Sequence, residues 1–194
     1  GSIKKVLPLK KKNKKNFYNI LSFGRISREK NFIIILNAIE KVKFNNFKLY
    51  ILGNGELYSF IKNEIKQRKL VNKIKLTNYK KKYKSYFLKA DLYINSSYFE
   101  GFPNSVVEAI NYNIPVLSSE SGGGINEILL NGKGGVLFKN NSSSDLAKKI
   151  NLFFLNKNFF SKKIQSAKNG LTRFLLKKSV GKYNKIFDQL IKWK

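Results

Sequence analysis

The chain has 194 residues, 42% hydrophobic and 14% aromatic, which suits one globular domain with a sizeable core rather than a disordered segment. Lys and Arg number 39 against 11 Asp and Glu, a formal charge of +28. With no His and no Cys, a Ser-His-Asp triad, a Cys-His pair, a His-ligated metal and a disulfide framework are all excluded.

Residues 1–16 read as a Gly-Ser cloning scar followed by a basic linker or arm, "KKKNKKN". Residues 17–194 read as one domain. "FYNILSFG" (17–24) is an apolar run closed by Gly, the signature of a buried strand. "NFIIILNAIEKVK" (31–43) has helical spacing, "FKLYILGNG" (47–55) is a second strand and "LYSFIKNEIKQRK" (57–69) an amphipathic helix. "KIKLTN" (73–78) is a third strand, followed by a helix to about Leu88. "DLYINSS" (91–97), "IPVLSS" (114–119) and "GGVLF" (134–138) are three more strands, separated by helices at 105–113 and 125–131. A helix over 142–156 starts on serines suited to capping it, and 157–194 read as two further helices. Strands alternating with helices predict an α/β fold: a Rossmann-like, doubly wound sheet of about six parallel strands with helices on both faces.

In such sheets ligands bind beyond the carboxyl ends of the strands, so the loops that follow each strand carry the chemistry. In "GRISREKN", Gly24 allows a close turn, and Arg25 and Lys30 stand before a helix start, a candidate anion site. In "EGFPNSVVEA", Glu100 precedes a turn and Glu108 falls in about the first turn of the next helix. Asn104 is a plausible N-cap, with Pro103 in the first helical position as the alternative. The Asn104 and Ser105 amides would face phosphate oxygens, and carboxylates suit sugar diols. "SGGG" (121–124) lets backbone approach closely, although a tight turn alone would explain it. No Asp-x-Asp pair is present to hold a divalent metal against a diphosphate, so cationic side chains must neutralise one.

The charge admits three readings: a solvated Lys-rich surface, attraction to an anionic membrane, or a nucleic-acid footprint. Arg, which would dominate a base-reading surface, is scarce, and no nucleic acid is expected as a partner. No apolar run approaches the roughly 18 residues of a membrane-spanning helix. The expected location is the cytoplasm, at the inner face of the membrane where the basic surface would meet anionic lipid.

Together, "SFGRISREKNF", "SYFEGFPNSVVEAINYNIPVLSS" and "SGGGINEILLNGKGGVLF" resemble, in order, the "GRL…KN", E-x7-E and "GG.PEI…G..G.L" segments of family 4 glycosyltransferases. These are retaining enzymes of GT-B fold. The resemblance covers about residues 17–190 and is to the C-terminal, nucleotide-sugar-binding half. It implies that the segment near 176–194 is directed toward a missing N-terminal domain that binds a glycan or lipid-linked acceptor.

Carried over position by position, the resemblance implies that Arg25 and Lys30 bind the donor diphosphate and stabilise it as leaving group. Glu100 would bind donor-sugar hydroxyls, helped by backbone near Gly101 and Phe102. Asn104 and Ser105 amides would touch the diphosphate, and Glu108 would hold the ribose diol. Gly24 and Gly53 would line the donor site, and the loop "LTNY" (76–79), Asn78 within it, would flank the base, mostly through backbone groups. The implied activity is metal-free transfer, with no cofactor, of a hexosyl or N-acetylhexosaminyl group from a nucleotide-diphosphate sugar, UDP foremost. The isolated domain is expected to be inactive. Asn113 stands where the family has Gly, and can take the left-handed C-cap that Gly would supply. Asn126 stands where the family has Pro. The alternative is a basic module binding nucleic acid or anionic membrane without chemistry.

Overall fold

Six short apolar runs pair into one all-parallel sheet of order β3-β2-β1-β4-β5-β6. The strands are β1 (Tyr18–Phe23), β2 (Phe47–Leu52), β3 (Ile74–Thr77), β4 (Leu92–Asn95), β5 (Val116–Ser119) and β6 (Val136–Phe138). This computed structural model describes residues 5–8, 16–78 and 83–191. Most of the Lys/Asn run, Tyr79 and residues 192–194 lie outside the described residues.

Period-two alternation along the strands splits the core into two layers. Tyr18, Ile20, Leu49, Ile51, Leu92, Ile94 and Leu117 point to one face, where α1 (Phe32–Ile39), α2 (Tyr58–Gln67) and α6 (Ser143–Leu155) pack. Leu21, Leu52, Tyr93 and Val116 point to the other, covered by α3 (Lys84–Lys89), α4 (Asn104–Asn111), α5 (Gly124–Ile128) and part of α7 (Lys157–Asn169). Right-handed crossovers demand this two-sided cover, so the doubly wound expectation holds. The Ser142 hydroxyl accepts from the Asp145 amide at 3.2 Å, capping α6 as expected. Asn113 takes the left-handed conformation (φ 60°) that ends α4, the role anticipated for it.

The helices differ from expectation at their ends. α1 stops at Ile39 and α5 at Ile128. Between α7 and α8 (Leu176–Ile191) a 3-10 turn, Leu171–Phe174, buries Leu171 and Phe174. Every described side chain of α8 is exposed. Leu176, Val180, Tyr183, Phe187 and Leu190 recur at alternating spacings of four and three, an apolar stripe left exposed among the described residues.

The strand order reverses between β1 and β4, and there the sheet opens. β1 pairs with β2 along its whole length, from Tyr18 to Phe23, but with β4 only through Ile20–Leu92 and Leu21–Tyr93. Beyond that point side chains take over from the ladder. The Ser22 hydroxyl donates to the Ile94 carbonyl at 2.8 Å and the Tyr93 hydroxyl to the Phe23 carbonyl at 3.0 Å.

Candidate active site

The crevice at the β1/β4 reversal is lined by the two loops that carry most of the expected residues. Lys30, at the end of the β1–α1 loop, forms an ion pair with Glu100 in the β4–α4 loop. The Ser97 hydroxyl donates to the same carboxylate oxygen at 2.6 Å. Glu100 is almost wholly buried, with 9% of its side chain exposed, and Lys30 is 28% exposed. A carboxylate this far from water needs such partners, because an unpaired buried charge is costly. The loops are further tied by the Ser96 hydroxyl donating to the Lys30 carbonyl at 2.7 Å and the Tyr98 amide to the Glu29 carbonyl at 2.8 Å.

Arg25 stands apart from this pair. Its side chain is 75% exposed and its nearest acidic partner is Glu56, at 3.6 Å, in the loop after β2. The sequence brings Arg25 and Lys30 together as one cationic pair; in the structure Lys30 engages Glu100 and Arg25 faces Glu56. Gly24 donates its amide to the Leu52 carbonyl at 3.0 Å, continuing the β1–β2 pairing by one step. Gly53 is required by packing: a Cβ there would lie 1.8 Å from the Gly24 carbonyl oxygen. Asn78 is exposed at the end of β3, one strand further from the crevice than Gly53.

Pro103, not Asn104, occupies the N-cap of α4, and no side chain caps the helix. Proline cannot extend an intrahelical ladder, so it sits where no amide is needed. Asn104 is therefore the first helical residue and Glu108 the fifth, one residue deeper than an Asn104 cap would place it. The bonds accepted by the Pro103 carbonyl come from Val106 and Val107. The Asn104 and Ser105 amides find no backbone acceptor among the described residues and stand free at the helix start. The Phe102 ring packs edge-on against Phe174, 5.3 Å between centroids, so Phe102 offers the crevice its backbone rather than its ring. The Gly101 carbonyl accepts from the Gly124 amide at 2.9 Å, and a Cβ on Gly123 would lie 2.0 Å from the Glu100 carbonyl oxygen. The glycine triplet thus lets α5 back the Glu100 turn.

Glu108 is half-buried against the start of α3. Burial pushes its carboxyl up, countered by a hydrogen bond with Tyr83 and by the Lys84 charge. Both Glu100 and Glu108 act electrostatically on the phenol of Tyr93, so both carboxylates border one region. Two of the three aspartates serve the fold: Asp91 accepts from the Asn19 amide at 2.9 Å, and Asp145 from the Lys139 amide at 2.8 Å. Ser97 and Tyr93 were not among the expected residues. A serine in a polar loop and a tyrosine inside an apolar strand carry no signal until their partners are in place.

A family model described as glycosyl transferases group 1 matches residues 5–170. Poly(glycerol-phosphate) alpha-glucosyltransferase of Bacillus subtilis is 32% identical over 69% of this chain and 20% of its own length. A Campylobacter jejuni alpha-1,4-N-acetyl-D-galactosaminyltransferase, named for a PP-undecaprenol-linked glycan, is 27% identical over 77% of this chain and 42% of its own. The chain spans less than half the length of either. Among solved structures, a Rickettsia africae glycosyltransferase superposes with a TM-score of 0.83 at 22% identity, over 92% of this chain and 49% of its own. Anabaena HepE in complex with UDP and glucose gives 0.79 at 22%, over 91% and 49%. A C-terminal domain of a group 1 protein from Francisella tularensis gives 0.73 at 22%, over 82% and 87%. With the reversed strand order and the family match over most of the sequence, the chain belongs to the group 1 glycosyl transferases.

Proposed function

We propose that the chain is the donor-binding half of a retaining glycosyltransferase that moves a hexosyl or N-acetylhexosaminyl group from a UDP-linked sugar. The observation that carries this reading is the Lys30–Glu100 pair spanning the β1 and β4 loops beside the free amides of Asn104 and Ser105. As the bond from anomeric carbon to diphosphate oxygen breaks, charge builds on the departing UDP. Lys30, Arg25 and the two amides stabilise it there. Glu100 accepts from donor-sugar hydroxyls and Glu108 from the ribose diol; Gly24, Gly53 and Gly101 let the ligand approach backbone, and Asn78 flanks the base. Cationic side chains serve in place of a metal, so chelation with EDTA should leave donor binding unchanged. The UDP in the Anabaena HepE complex supports UDP as the nucleotide.

The acceptor is a surface glycan or a lipid-linked saccharide, supported by the names of the Bacillus and Campylobacter relatives. Its binding groups belong to a second domain, toward which the apolar stripe of α8 is directed. The 194-residue chain therefore binds donor without transferring sugar. Work on a lipid-linked acceptor would place the enzyme at the inner face of the membrane, and the +28 charge suits contact with anionic lipid. No described helix is long and apolar enough to cross a membrane.

Calorimetric titration with UDP tests the reading. Wild type should bind, and the Arg25→Ala/Lys30→Ala double variant should lose roughly a hundredfold in affinity, as charge-assisted bonds of about 1.5–3 kcal/mol would give. Undetectable binding to wild type, or undiminished binding to the double variant, overturns it.

A further inference from the structure

Tyr93 holds a position that its ring alone does not explain. It is 1% exposed in β4, and its ring stacks on Phe87 at 5.9 Å and 19°. A phenylalanine would fill that space equally well. The hydroxyl needs a separate account, because a buried hydroxyl is retained at a cost unless it makes hydrogen bonds.

Its partners supply that account. The phenol donates to the carbonyl of Phe23, the last residue of β1 before the Gly24–Lys30 loop. The Ser105 side chain sits against the same phenolic oxygen from the start of α4. This is the place where β1 and β4 have ceased to pair. One buried hydroxyl thus touches both structures that face the crevice: the loop bearing Arg25 and Lys30, and the helix start bearing the free amides. Burial, with the charges of Glu100 and Glu108 added, pushes the phenol up, so it remains a neutral donor at working pH.

We infer that Tyr93 is a positioning residue for diphosphate recognition, a strut that fixes the spacing between the cationic β1–α1 loop and the α4 amides. The inference rests on the donor-binding reading of the same crevice. It predicts a loss confined to the phosphates, since among the described residues the hydrogen bonds of Tyr93 go to Phe23 and Ser105 and not to Asn78.

The test compares UDP with uridine on the full 194-residue chain, by NMR titration, for wild type, Tyr93→Phe and Ser105→Ala. Tyr93→Phe should weaken UDP roughly five- to tenfold, the worth of one buried hydrogen bond, and leave uridine affinity unchanged. Ser105→Ala should shift the same ratio in the same direction, and decides the matter if Tyr93→Phe does not fold. A purely structural tyrosine would lower the urea midpoint and weaken both ligands in proportion, or neither; either result overturns the inference. If wild type binds UDP and the variants match it, only the strut falls. If wild type binds neither ligand, the donor-binding reading falls and takes the strut with it.

Discussion

At the scale of the residue, Glu108 shows how a site opposes stability. Its carboxyl is pushed up because burial against α3 disfavours the charge. A group whose folded pKa exceeds its unfolded value contributes most below the unfolded pKa, and that contribution is lost as pH rises through the folded pKa. Glu108→Gln should therefore melt higher than wild type at neutral pH, with the gap closing as the pH falls below the carboxylate range. The same variant should bind UDP roughly three- to tenfold more weakly, because a neutral amide accepts a diol less strongly than a carboxylate. Differential scanning calorimetry across pH and a single titration at neutral pH check both halves. Lys168 illustrates the opposite charge. Burial lowers its ammonium to about 8 while it donates to the Asn111 carbonyl at 2.6 Å.

At the scale of the element, the strands were legible because each is a short apolar run ended by polar or glycine residues. The helix ends were less so. Pro103 took the N-cap that Asn104 was suited to, since proline's missing amide costs nothing there, and this moved Glu108 one residue deeper. The Lys30–Glu100 pair lies 70 residues apart in sequence and became visible only when β1 and β4 stood side by side. Ser97 and Tyr93 could not be read at all, because their meaning lies in which carbonyl or carboxylate they reach. The glycine triplet, ambiguous in sequence, acquires a definite role at Gly123, where φ is +56° and a side chain would strike the Glu100 carbonyl. Gly123→Ala should cost about 1–3 kcal/mol of stability by urea denaturation and displace the Glu100 turn. If it is neutral, the backing of that turn by α5 is not as tight as the contact implies.

At the scale of the whole molecule, charge outweighs every other surface property. A chain at +28 repels itself, and the repulsion is screened by salt. Raising sodium chloride from about 50 mM to about 500 mM, where the screening length falls well below the molecular radius, should raise the melting temperature by about 2–4 °C. A flat response would mean that the lysines are spaced widely enough to ignore one another.

The Lys30–Glu100 contact has a consequence for the order in which a donor is greeted. Lys30 and Glu100 satisfy each other, so under the proposed function a diphosphate would first draw the lysine away. That exchange would leave Glu100 with the Ser97 hydroxyl as its described donor, and a further hydroxyl would replace what the lysine gave. A free nucleotide diphosphate would bring none to that end of the crevice, whereas a sugar attached to it would. On the proposed function the crevice would thereby favour the loaded donor over the spent one, a form of product release written into a single ion pair.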